Sequence, residues 1–132
     1  MNAEGDIRGA IITALRGDAA LSAQVNRVYD GFPDKATPPM LVVGECLGSD
    51  WAVKDRPGRE LRIGLTIEDD IETPARISAI MPLADAAVQT VRGTVSGWQI
   101  GSMRMVRSRL MRTNRGRWSA LVDYRVRVLL DM

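Results

Sequence analysis

Three groups of residues in this 132-residue chain have the type and spacing to do chemistry. The first is the acidic run Glu68-Asp69-Asp70 with Glu72 nearby, whose carboxylates could bind a divalent cation. A cation cage takes oxygen ligands from several elements, whereas this run supplies them from one point of the chain. The run directly precedes Thr73-Pro74, which reads as an N-cap followed by proline at the first helical position. Carboxylates there stabilise a helix through its dipole by about 0.3–1 kcal/mol each, which accounts for the cluster without a metal. The second group is Cys46, at the end of an apolar stretch. The chain has no His to draw off its proton, so Cys46 reads as a buried thiol. A lone cysteine also excludes an intramolecular disulfide, and Glu45 and Asp123 read as ordinary ion-pair residues. No GxSxG, HExxH, phosphate-binding loop or GxGxxG pattern occurs. The reading is a protein that is not an enzyme, with no catalytic residue, metal or cofactor.

The third group is arginine. Arg104, Arg107, Arg109, Arg112, Arg115 and Arg117 crowd into fourteen residues, and such a patch could neutralise phosphates. Aromatic side chains that would stack on bases are almost absent there, apart from Trp118, which argues against base-specific readout. Two readings stand. Arginine on an outward strand face can simply solubilise a sheet and discourage edge pairing. Alternatively the arginines, together with Trp51 in an earlier loop, meet a neighbouring subunit or partner, with Arg109, Arg112 and Arg115 the ones facing DNA. The charge distribution bears on this choice: residues 98–132 hold eight arginines and two aspartates, net +6, whereas residues 1–97 carry net −4. Opposite charge on two regions of a small protein favours head-to-tail association with copies of itself as much as nucleic-acid binding.

The arginines lie on a long C-terminal hairpin. From Trp118 the even positions are Trp118, Ala120, Val122, Tyr124, Val126, Val128 and Leu130, a period of two that marks a strand with one buried face. A turn at Asn114-Arg115-Gly116 joins it to a strand over roughly 99–112. Plain alternation there sets Arg104 in phase with Ser102, Val106, Ser108, Leu110 and Arg112, and sets Arg107 and Arg109 in phase with Met103, Met105 and Met111. The positive charges would then occupy both faces.

Upstream, Ile7, Ala10, Ile11, Ala14 and Leu15 form one face of a helix over 4–16. Gly17-Asp18 stops it, and Asp18 can cap a short second helix over 19–25. Residues 27–31 read as a short strand and turn, the proline-bearing stretch 32–39 as a loop, and 40–45 as a strand buried on both faces. Residues 48–58 read as a mobile loop or long hairpin tip, with Trp51 exposed in it. Leu61, Ile63, Leu65 and Ile67 alternate with polar residues, as in a strand with one wet face. A long helix then places Ile77, Ile80, Met81, Ala84, Val88 and Val91 on one side and closes at Arg92-Gly93, with a kink or break expected before Pro82. Strands joined by short loops, with helices at the start and middle, predict one α+β domain over 1–132: a mainly antiparallel sheet of four or five strands with two main helices on one face. No apolar run reaches the ~20 residues of a membrane span, and the start MNAEGDIRG lacks a signal peptide's basic flank and apolar core.

In order and spacing, the stretches Ala14 to Ala23, Arg27 to Pro33 and Pro38 to Glu45, then Asp50-Trp51, the strand and helix from Leu61 to Val91, and the final alternating strand resemble the tail terminator, or tail-completion, proteins of long-tailed phages and gene transfer agents. The resemblance spans nearly the whole chain. It implies a ring, typically hexameric, that caps the tail tube and meets the head-side connector proteins, with DNA passing through the lumen without sequence readout. It also implies a place at the head-proximal end of a particle tail, assembled in the host cytoplasm. A head-completion or connector protein is the near alternative, and a small arginine-rich nucleic-acid-binding module the distant one.

Overall fold

The computed structural model describes residues 2–113 and 116–131. Helix α1, Ala3–Gly17, starts where the Asn2 side chain accepts the Gly5 N–H at 2.9 Å and buries Ile7, Ile11, Ile12 and Leu15. Asp18 ends α1 and begins α2, Ala19–Ser22, by accepting the Leu21 N–H at 2.9 Å. This second helix is a single turn, shorter than the expected 19–25, although Leu21 and Val25 are both buried.

Helix α3, Ala75–Val88, begins one residue later than the sequence suggests. Pro74 stands at the N-cap, and the Thr73 hydroxyl reaches the Ala75 N–H only at 3.5 Å. The helix runs on through Pro82 without a break. Pro82 and Ser78 both face outward, so the carbonyl that loses its partner at the proline is on the solvent side, where water can bond it. Val88 ends the helix short of Gly93; the Thr90 hydroxyl donates to the Ala87 carbonyl at 2.6 Å and turns the chain out of helical geometry.

Six strands form one curled sheet: β1 (Arg27–Asp30), β2 (Met40–Asp50), β3 (Gly58–Asp69), β4 (Thr94–Val95), β5 (Trp98–Arg112) and β6 (Trp118–Leu130). Their order is β1-β2-β3-β6-β5-β4. The β1–β2 pair is parallel, and every other pair is antiparallel. The count exceeds the expected four or five because β4 is only two residues long. It joins β5 through Ser96-Gly97, both with positive φ, the combination that a two-residue hairpin turn requires. Pairing of β2 with β3 persists to Asp50 opposite Arg59, so the expected loop over 48–58 shrinks to a tip over 51–57.

The helices cover one side of the sheet. Leu61, Ile63, Leu65 and Ile67 of β3 and Ala120, Val122, Tyr124, Val126 and Val128 of β6 close one core against Ile7, Ile11, Leu15, Ile77, Ile80, Ala84 and Val88. Each fully buried aliphatic side chain there contributes roughly 1.5–3 kcal/mol. Most polar groups on this side find partners within the chain, the buried Trp98 indole N–H being an exception. The Tyr124 hydroxyl donates to Asp85 Oδ1 at 2.8 Å, and Arg8 of α1 donates to the Val43 and Gly44 carbonyls at a bulge in β2.

Candidate functional site

Among the described residues the other side of the sheet carries no helix, and the strand register decides what it displays. On β6 the residues that alternate with the core are Leu121, Asp123, Arg125, Arg127 and Leu129. Opposite Arg125 stand Arg62 on β3 and Arg104 on β5, so three arginines form a row across three strands. Flanking rows place Glu60 and Ser102 beside Arg127, Gly64 and Arg107 beside Asp123, and Thr66 and Arg109 beside Leu121.

Two bulges in β5, at Gly101 and Val106, produce this arrangement. Each inserts one residue without a partner and reverses the alternation that follows. Between them Met103 and Met105 face the helix side and Arg104 faces away. Beyond the second, Arg107 and Arg109 face away as well. Arg104, Arg107 and Arg109 therefore share the helix-free face, and the charges do not divide between faces as plain alternation implies. Arg112 pairs with Trp118 and lies on the opposite side. Arg117 is 3.9 Å from Glu68, near the turn. Arg115 lies outside the described residues.

Trp51 joins the same face. The Arg127 guanidinium stacks over its ring at 5.2 Å from the centroid, so the tryptophan is half-buried and not the exposed loop residue expected. A groove of about 960 Å³ runs beside the arginine row, lined by Phe32, Leu47, Val106 and Leu121 with Arg62 and Arg107 at its walls. Phe32 is 66% exposed and Leu47 60%. Arg62, Arg125, Arg127, Phe32 and Leu47 are not signalled as a site by the sequence; the alternation of β3 and β6 points three of them outward, but only the cross-strand register brings them together.

Carboxylates are scarce on this face. Arg107 holds Asp123 at 2.8 Å, while Arg62 and Arg127 share Glu60 at 3.7 and 3.6 Å. Among the described residues Arg104, Arg109 and Arg125 make no ion pair. The Nε atoms of Arg125 and Arg127 are both shielded from solvent without a hydrogen-bond acceptor. Glu45, expected to pair, is exposed and makes no ion pair among the described residues.

The other chemical candidates have structural partners. Asp69 is buried and takes two hydrogen bonds from Arg76, one of them Nε to Oδ2 at 2.8 Å, and these hold its carboxyl below the usual carboxylate range. The first turn of α3 contains no acidic residue, so Arg76, and not the helix dipole, is what steadies Asp69. Burial, and secondarily Glu4, pushes the Cys46 thiol up to about 11, which keeps it protonated and unreactive at neutral pH. The arrangement sets fixed positive charge beside exposed apolar side chains.

Residues 9–129 match the family model described as Tail completion protein gp17. A chain from a structure titled "Virion of native gene transfer agent (GTA) particle" superposes with a TM-score of 0.78, covering 98% of this chain and 99% of that one at 23% identity, which shows a shared fold. No curated protein matches the chain.

Proposed function

The chain belongs to the tail completion protein gp17 family, structural proteins of the virion tail and not enzymes, and on that premise we propose that it is a tail terminator. Copies of the chain close into a ring, typically a hexamer, that caps the tail tube and presents its other side to the head-side connector proteins. DNA passes through the lumen without being read. The observation that supports this reading is the helix-free face, where charge and apolar surface lie exposed with too few counter-charges of their own. Closed rings are built from heterologous contacts, in which one patch of a subunit meets a different patch of the next, and a basic face with an acidic remainder suits them.

The test is mass and shape in solution, by light scattering with negative-stain imaging, alone and with tail-tube protein. The expected result is a ring; a monomer that never closes, even on tube protein, rules the reading out. Arg109→Glu and Arg112→Glu are expected to leave the fold intact and weaken assembly. Normal tails from both variants would return those arginines to the role of solubilising surface.

A head-completion role on the portal side differs only in the partner that the ring caps, and binding to connector but not tube would favour it. The exposed Arg104 and Arg109 favour one further reading, a nucleic-acid-binding module. Tight DNA binding by the isolated subunit, falling steeply with salt, would support that reading and count against the terminator.

A further inference from the structure

We propose that the helix-free face receives the acidic loop Asp70-Ile71-Glu72 of a second copy of this chain, with the carboxylates on the Arg62–Arg125–Arg104 row and the apolar part against the adjoining groove. The inference rests on the ring reading above and names the two surfaces by which neighbouring subunits meet.

Three observations carry it. Like charges directly opposite one another on adjacent strands destabilise a sheet, and here three arginines stand in one row. Glu60 is shared between Arg62 and Arg127, and Arg104 and Arg125 make no ion pair among the described residues. The arginine row therefore lacks anions that a docking segment would bring, and the carboxylates that line the groove beside it are Asp123, held by Arg107, and Glu45. Next, the groove beside the row selects the kind of partner. A phosphate backbone offers charge but no apolar surface for Phe32, Leu47, Val106 and Leu121, and the Trp51 ring that could stack on a base is covered by Arg127. A protein segment with carboxylates around an aliphatic residue fits both features.

The third observation identifies the segment. Asp70 and Glu72 are exposed, with Ile71 half-exposed between them. The Glu72 carbonyl accepts the Trp118 indole N–H at 2.9 Å, which fixes the loop at the end of the sheet. Arg62 lies seven residues before Asp69 on β3, about 23 Å away at the rise of a strand. The loop is too far to reach its own arginine row, and among the described residues its carboxylates have only one ion pair, Asp70 to Arg76 at 4.0 Å, which leaves them able to meet a neighbour's row. Contact of one end of a subunit with the flank of the next is heterologous and propagates head to tail until it closes.

Charge exchange tests the contact. One variant carries Arg104→Glu with Arg125→Glu, the other Asp70→Lys with Glu72→Lys. Each alone is expected to weaken self-association at least tenfold while still unfolding cooperatively on heating. Equal amounts of the two, mixed, are expected to recover rings, because the acidic face of one then accepts the basic loop of the other and the unaltered surfaces pair at alternate contacts. Alternation permits only even subunit numbers. Should either double variant misfold, Arg125→Gln and Asp70→Asn ask the same question with smaller changes. Rings formed normally by each variant alone, or no recovery on mixing, would overturn this contact while leaving the terminator reading intact. Unaltered rings together with a loss of DNA binding in the arginine variant would reassign the face to nucleic acid. A wild-type protein that forms no ring under any condition overturns both.

Discussion

On its helix-covered side β6 presents Ala120, Val122, Tyr124, Val126 and Val128 to a closed core; on its other side the same strand presents Leu121, Asp123, Arg125, Arg127 and Leu129. The first set is complete within one chain, since its apolar surface is covered and Tyr124 has Asp85 as a hydrogen-bond partner. The second set has more positive charge than its carboxylates can match and leaves Leu121 39% exposed beside the groove. Strand alternation thus gives one element two unlike faces: one closes the core and the other stays largely uncovered within the chain.

Substitutions can break that contrast. The largest effect is expected at Leu65, 1% exposed on the helix-covered side, where Leu65→Ala should cost about 2–5 kcal/mol in urea unfolding. Leu121→Ala, on the other face, should cost no more than about 0.5 kcal/mol. Equal losses would mean that the second face is also core.

Asp69→Asn comes next and has a pH signature. Arg76 holds the carboxyl below its usual range, so the folded state binds this proton less readily than the unfolded chain. The resulting stability is fully present above the unfolded pKa of about 4 and is lost as pH falls through the lower folded value. Wild type should therefore lead the variant at pH 7 and lose that lead in acid; a gap independent of pH would show that the charge is not what matters.

A smaller loss, about 1 kcal/mol, is expected for Tyr124→Phe, which removes one buried hydrogen bond. Burial, and then the bond to Asp85, raise the Tyr124 pKa, so the hydroxyl stays protonated and the loss should be the same from pH 6 to 9. The smallest change should have the opposite sign. Arg125→Gln relieves the three-arginine row, so the isolated subunit should gain a few tenths of about 1 kcal/mol at low salt, and the gain should fade as salt rises. A loss of stability would sharpen the comparison against us, by showing that Arg125 already serves the fold.

Much of the helix-covered half could be read from the residues in order. The apolar spacing of α1, the double service of Asp18 as stop and cap, and the alternation of β3 and β6 are local patterns with local causes. The misreadings lie where a distant residue decides. Asp69 looks like part of a helix start until Arg76, seven positions on, takes both its oxygens. Proline at 82 suggests a break until the fold turns that side of α3 to solvent. The arginine face was legible only in part: the abundance and position of Arg104, Arg107 and Arg109 are plain, but their common side depends on bulges that exist only relative to β6. Arg62 is brought beside them by long-range pairing, of which the residues around it give no sign. The family likeness was legible because it rests on the order of many weak local signals, which needs no register.

The bulges in β5 have a consequence for how such chains can vary in length. A bulged residue has no cross-strand partner, so removing Gly101 would let Ile100 and Ser102 close up opposite Val128 and Arg127 and leave every arginine on its present side. The strand can lose or gain a residue at that point without altering the pattern of charge, whereas losing the paired residue Met103 would set Arg104 opposite Val126 and turn it inward. Two relatives aligned through this strand without a gap could therefore appear to disagree at every position and still carry the same surface.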